Sequence, residues 1–297
     1  MKSWRDVPIL ILGFNRPYEL GNLLSHEDLS KFNAVTVAID GPRQLNNEDE
    51  IAQDLISRNL ENFDFSVTKN ESNLGSFAIT NAISNIMENN DYLIVIEDDI
   101  YPAIGALRIM AEKLLSLDDK NATLGAYSPN LFFNKALRTN SWRESYYFCP
   151  WLWGVNKKVW MNYKQELNSD DLAKLVHSET WNSLSADKQA RWFLRFLWVV
   201  NNPGLTWDFQ MQYLHFSKSL RSIRPWKSLA LNQGFNSDGQ RTFSEPIWNP
   251  KSTGSTIFKE SKMDHFKLSN FIDSLTFAAD NGFLDGKLHT FMRNIYK

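Results

Sequence analysis

Among 297 residues there is one cysteine, Cys149. An intramolecular disulfide and a cysteine-rich metal site are therefore both excluded, and the composition suits a reducing compartment. There is also no surplus of positive charge. Lys and Arg number 32 against 34 Asp and Glu, a net of −2, so no basic surface points to nucleic acid. No apolar stretch approaches the ~20 residues of a membrane span. The opening run Val7–Phe14 is short, contains Pro8 and has no small-residue cleavage site, unlike a signal peptide. These absences predict a soluble, cytoplasmic protein, with peripheral association at the inner membrane face left open. A phosphate-binding G-x-x-x-x-G-K-[ST] loop and a G-x-G-x-x-G fingerprint are both missing, which weakens kinase, ATPase and dehydrogenase readings. Internal repeats, linkers and low-complexity tracts are missing too.

A hydrophobic fraction of 43% gives material for one large domain or two closely packed halves. In the first hundred residues the hydrophobic period alternates. Strand-like runs at Val7–Gly13, Ala34–Ile39, Phe63–Thr68 and Tyr92–Ile96 are separated by helical patterns at Tyr18–Leu24, Glu48–Leu60 and Gly75–Glu88. Pro102 is expected to open a further helix reaching about Leu117. Such βαβα alternation predicts an α/β fold with a mostly parallel sheet and helices on both faces. Beyond Gly125 the rhythm weakens. Short strands are expected at Leu124–Ser128 and Tyr146–Phe148, helices at Lys157–Glu166 and Ala186–Val200, and a loop-rich aromatic segment over Thr206–Gln240. The expected division is an α/β half, 1–125, and an aromatic-rich half, 126–297, packed as one unit.

In an open α/β sheet, ligands bind beyond the carboxyl ends of the strands. The polar clusters fall there: "FNRP" with Arg16 after the first strand and "DGPR" with Asp40 and Arg43 after the second. "NLGS" with Asn73 and Gly75 precedes a helix, and "EDD", Glu97-Asp98-Asp99, ends the fourth strand. Three adjacent carboxylates repel one another. A hard divalent cation shared with phosphates would offset that repulsion, and free N–H groups near Gly75 would suit an anion. The bland alternative is that "EDD" caps the Pro102 helix. "DGPR" is also ordinary turn chemistry.

With these residues in place, the chain resembles nucleotide-sugar glycosyltransferases of the GT-A fold. It is most similar to the inverting N-acetylglucosaminyltransferase I-like group and its bacterial relatives. The stretches that carry the resemblance are "PILILGFNRP", "AIDGPR", "NLGSFAITNAISNIMENNDYLIVIEDDIYP", "WLWGVNKKVW", "TWDFQMQYLHF" and "SLALNQGFNSDGQRT", in order between residues 8 and 242. The resemblance implies that Asp99 ligates Mn²⁺ or Mg²⁺, while Glu97 and Asp98 meet sugar hydroxyls or support the metal shell. It places Arg16 and Asp40 at the nucleotide base and the loop Trp151–Gly154 along the donor sugar. From Trp207-Asp208 it takes Asp208 as catalytic base. "WDFQ" lacks the second acid that often accompanies this motif. The donor would be a nucleoside-diphosphate sugar, UDP foremost, and the acceptor a glycan or glycolipid.

Trp142, Trp153, Trp226 and Trp248 join Trp151 and Trp207 as candidate stacking platforms. Asn232, Asp238 and Arg241 are candidates to order a loop over the donor, and His215 and His265 are candidate extra metal ligands. A sugar nucleotidyltransferase explains the metal and the α/β half, but usually carries a Gly-rich loop where this chain has "GFNRPYEL". A carbohydrate-binding module explains the aromatics and leaves the acidic strand end unexplained. A phospho-accepting receiver domain would be much shorter.

Overall fold

The structure is a computed structural model that describes residues 2–117, 121–129, 141–235, 249–253, 269–270 and 273–274. Its centre is a mixed sheet. β1 (Ile9–Gly13), β2 (Val35–Ile39), β3 (Ser66–Lys69) and β4 (Tyr92–Glu97) run parallel, in the order β3-β2-β1-β4. β8 (Trp153–Asn156) then pairs antiparallel to β4. It leads to β6 (Ala122–Gly125), β9 (Arg221–Pro225) and the edge strand β7 (Trp142–Ser145). One sheet thus runs through both expected halves. β5 (Ile100–Pro102) and β10 (Ala230–Asn232) form a separate antiparallel ribbon.

Alternation along β1 explains why both faces need helices. Ile9 and Ile11 enter one core with Leu20, Leu23 and Leu24 of α1 (Pro17–Leu24), Ile56 and Leu60 of α2 (Asn47–Leu60), and Leu107, Met110 and Leu114 of α4 (Ala106–Ser116). Leu10 and Leu12 enter a second core with Ile83 and Met87 of α3 (Ser76–Asn89), and with Met211 and Leu214 of the helix Asp208–Ser217. A third, aromatic core gathers Trp181, Trp192, Phe196 and Phe216 away from the sheet.

Several expectations are corrected. Pro102 ends a strand, and the helix waits until Ala106. Gly105 adopts φ 81° and donates its N–H to buried Asp28 at 2.7 Å, which fixes the later start. "EDD" is therefore no helix cap. The segment expected to be loop-rich holds the helix Asp208–Ser217 as well as β9 and β10. Buried residues cover every side of that helix from Gln210 to Phe216, so no polar stripe reveals its period. The helix expected over Lys157–Glu166 is a single turn, Lys157–Trp160. The strand expected at Tyr146–Phe148 lies earlier, as β7. Antiparallel insertion of β8 leaves four parallel pairings against three antiparallel ones.

Candidate active site

In the parallel register Leu12 stands opposite Glu97, so β1 and β4 end side by side. That juxtaposition brings the "FNRP" loop onto the acidic triplet. Arg16 Nη1 donates to Asp98 Oδ1 at 3.2 Å and forms an ion pair with Asp99 Oδ2, while the Phe14 N–H donates to Asp98 Oδ2 at 3.2 Å. Beyond the strand ends lies a cleft of about 540 Å³, within the usual range of a small-molecule site. Its polar wall carries Arg16, Glu97, Asp98 and Asp99. Asp40, Asn73, Gly75 and Ser76 form a second wall. Trp151, Trp207 and Asp208 face them from the second half of the chain, and Asn232, Gly234 and Phe235 close one end.

The acidic triplet is strongly polarised. Burial, followed by repulsion from Asp99, Asp98 and Asp208, pushes the Glu97 carboxyl well above its ordinary range. Burial and Asp99 raise Asp98 to about 7, against the opposing pull of Arg16 and the Phe14 N–H. Perturbed carboxylates gathered in a cleft make it a candidate functional site. Asp208 contributes to this field from the first turn of its helix. Trp207 holds that helix start in place: its ring stacks on Trp153 at 5.5 Å, and its carbonyl accepts from the Tyr163 hydroxyl at 3.3 Å.

The donors around Asp99 suit a hard cation. Asp99 Oδ1 is buried without a hydrogen-bond partner, and the Gly234 backbone lies so close to Oδ2 that a Cβ would collide with it. Among the described residues no three His, Cys, Asp or Glu side chains form a ready-made cage. The unpartnered Asp99 Oδ1 is the protein group that would hold a divalent cation here.

Other candidates take different roles. Asp40 accepts from Gly41, Leu74 and Gly75 N–H groups and from the Asn70 and Asn73 amides, at 2.8–3.1 Å. Five donors saturate the carboxylate. It binds two loops together at the cleft wall, and no lone pair is left for a nucleobase. Arg43 lies off the cleft. Its guanidinium makes a bidentate pair with buried Asp49, at 2.6 and 2.7 Å, and Asp49 in turn accepts from Asn15 of the cleft at 3.0 Å. Asp49, which the sequence reading missed, thus anchors the "FNRP" loop. Gly154 lies within β8, paired with Ile94 and Leu124, where a Cβ would press on Leu114 of α4. It packs the sheet and does not line the donor. His215 is fully buried beside Thr123, outside the lining of the cleft, and burial lowers it to about 3, so it is a neutral core residue.

Of the watched indoles, Trp151 and Trp207 reach the cleft, and Trp153 and Trp226 are core. Half-buried Trp142 belongs to edge strand β7. Trp151 meets Tyr127 and Phe235 edge-on at 4.6 and 5.8 Å. Asp238, Arg241, Trp248 and His265 lie outside the described residues.

No protein-family profile and no curated protein sequence matches the chain. Solved structures share part of the fold. One is the mannosyltransferase PcManGT from Pyrobaculum calidifontis in complex with GDP-Man and Mn²⁺, at 13% identity and a TM-score of 0.35, over 54% of this chain and 47% of that one. Another is GalNAc-T7 with UDP, GalNAc and Mn²⁺, at 9% identity and a TM-score of 0.40, over 74% and 42%. The chain thus spans less than half the length of either. Likeness at this level is partial, so any function must come from the cleft's own chemistry.

Proposed function

We propose that the chain is a GT-A glycosyltransferase. It transfers a sugar from a nucleoside-diphosphate sugar, UDP-sugar foremost, to a hydroxyl of a glycan or glycolipid, with inversion at the anomeric carbon. One observation carries the reading: a single cleft is lined both by the Arg16–Asp98–Asp99 cluster at the ends of β1 and β4 and by Asp208, whose charge acts on Glu97.

Asp99, through its unpartnered Oδ1, would hold a divalent cation, Mn²⁺ or Mg²⁺. The bound cation supplies Lewis-acid stabilisation of the leaving diphosphate. Arg16 adds positive charge on the same side, whereas the Gly75 N–H, expected to be free for an anion, donates to Asp40 at 2.8 Å. Asp208 accepts the proton of the acceptor hydroxyl as its oxygen bonds to the anomeric carbon. The bond from that carbon to the diphosphate oxygen breaks, and nucleoside diphosphate leaves. General-base help of this kind contributes ~10²–10⁴-fold. Trp151 offers an apolar face for the sugar being transferred.

The test is a thermal-shift panel of UDP-, GDP-, CMP- and dTDP-sugars with and without Mn²⁺. A ligand at ~100 times its Kd adds about 2.7 kcal/mol. A shift with one nucleotide that depends on Mn²⁺ supports the assignment. Unchanged melting across the panel refutes it.

A further inference from the structure

The helix Ala186–Asn201 is apolar on two faces. Trp192, Phe196 and Val199 pack into the aromatic core. On the outward side Leu194, Leu197 and Trp198 share one stripe and remain 64%, 40% and 42% exposed. A globular helix normally turns polar residues to that side. The stripe continues toward the cleft. Trp198 meets Phe209, the residue after Asp208, at 6.4 Å. Gly204 lies against the ring of Phe77, and Leu205, 48% exposed, lines the cleft mouth beside Asp208. Exposed apolar surface therefore runs from the helix to the side of the cleft where an acceptor would enter.

The charge on this helix indicates what covers the stripe. Its basic residues are Lys188, Arg191 and Arg195 against a single acid, Asp187, with Lys188 Nζ donating to Ser274 Oγ at 2.7 Å and the two arginines closer to the exposed stripe. The Arg195 guanidinium lies 4.6 Å from the Trp192 ring and 5.8 Å from Phe209, its stem laid along aromatic surface. Cations interleaved with exposed Leu and Trp on one helix are the pattern of an interfacial helix attracted to anionic lipid. No described helix is long and apolar enough to cross a membrane, so the contact would be peripheral. We propose that Ala186–Asn201 docks on an anionic membrane surface through Leu194, Leu197 and Trp198, turning the cleft mouth toward acceptors carried on lipid. The acceptor clause rests on the transferase reading; the docking itself does not.

Flotation with phosphatidylcholine vesicles, with and without phosphatidylglycerol, tests the idea. The wild-type chain is expected to float with the anionic vesicles and to be released by salt. Leu194→Asp combined with Trp198→Asp should lower partitioning at least about tenfold. Its circular dichroism and any Mn²⁺-dependent nucleotide shift should match wild type, since neither side chain is core. Leu194→Ser with Trp198→Ser provides a milder loss should the charged pair disturb folding. Wild-type protein that stays unbound, or variants that float equally well, overturn the proposal. So does a wild-type dimer by light scattering that the variants dissociate, because a second copy would then own the face. Vesicle binding without nucleotide binding would reject the transferase reading and leave the docking standing.

Discussion

Two buried groups on opposite sides of the sheet's centre should tilt the stability of the ligand-free protein in opposite directions with pH. Asp98 rises from 3.8 to about 7 on folding. Between those values the folded state keeps a proton that the unfolded chain has lost, so stability falls as pH rises. His215 drops from 6.5 to about 3. Between those values the unfolded chain holds the extra proton, so stability rises with pH. Glu97, displaced upward like Asp98, adds to the falling side.

Urea unfolding of wild type, Asp98→Asn and His215→Asn from pH 5 to 8 separates the terms. Near pH 5 each group shifts the slope by at most one proton, about 1.4 kcal/mol per pH unit, and the shift fades as pH passes the titration of each group. The slope of Asp98→Asn should therefore be more positive than wild type, and that of His215→Asn more negative. The slopes should converge as pH nears 8. Because slopes are compared, a general loss of stability in either variant does not matter. An Asp98→Asn slope equal to wild type would mean that Asp98 is already ionised in the folded protein, and the account of a polarised acidic triplet would be wrong.

Asp99→Asn should weaken Mn²⁺-assisted nucleotide binding in a calorimetric titration. Asp208→Asn should leave that binding nearly unchanged and lower kcat by about 10² or more; wild-type turnover in Asp208→Asn would remove it as base. Asp49→Ala should cost about 2 kcal/mol in urea melts, less than a fully buried pair because Arg43 is 42% exposed. It should also weaken nucleotide binding, because Asn15 loses its anchor. Trp151→Ala should abolish transfer to glycan primers while nucleotide binding persists, with a stability loss under about 3 kcal/mol; equal loss of folding would return Trp151 to a packing role.

The parallel half was legible because its signals are local. β1 and β4 are unbroken apolar runs that end on charged residues, and parallel pairing puts such ends on one rim. Arg16, Glu97, Asp98 and Asp99 are thus legible as one cluster from the chain itself. Asp49 could not. An acid in the first turn of α2 reads as ordinary helix-end chemistry; only the fold of the "DGPR" loop brings Arg43 back over it. Gly154 was misplaced for a topological reason. "WLWG" looks like a loop, yet β8 enters antiparallel between β4 and β6, and strand order is a long-range property with no local mark. The helix beginning at Asp208 hid because burial on every side erased its period.

These misses change the physical picture of the site. Arg43 and Asp40 were expected to touch ligand, and both instead hold the cleft wall, one through Asp49 and the other through five converging donors. The wall is thereby fixed in advance, which lowers the ordering cost of binding. Among the residues lining the cleft, the buried side-chain atom without a hydrogen-bond partner is Asp99 Oδ1. A buried carboxylate oxygen without a donor is costly, and a cation or a hydrogen-bond donor entering the cleft would relieve that cost. Arg16 already pairs with the other oxygen. A cation arriving with its diphosphate could therefore use the vacant lone pairs without first breaking that ion pair, which is why charge, and not merely space, defines this end of the cleft.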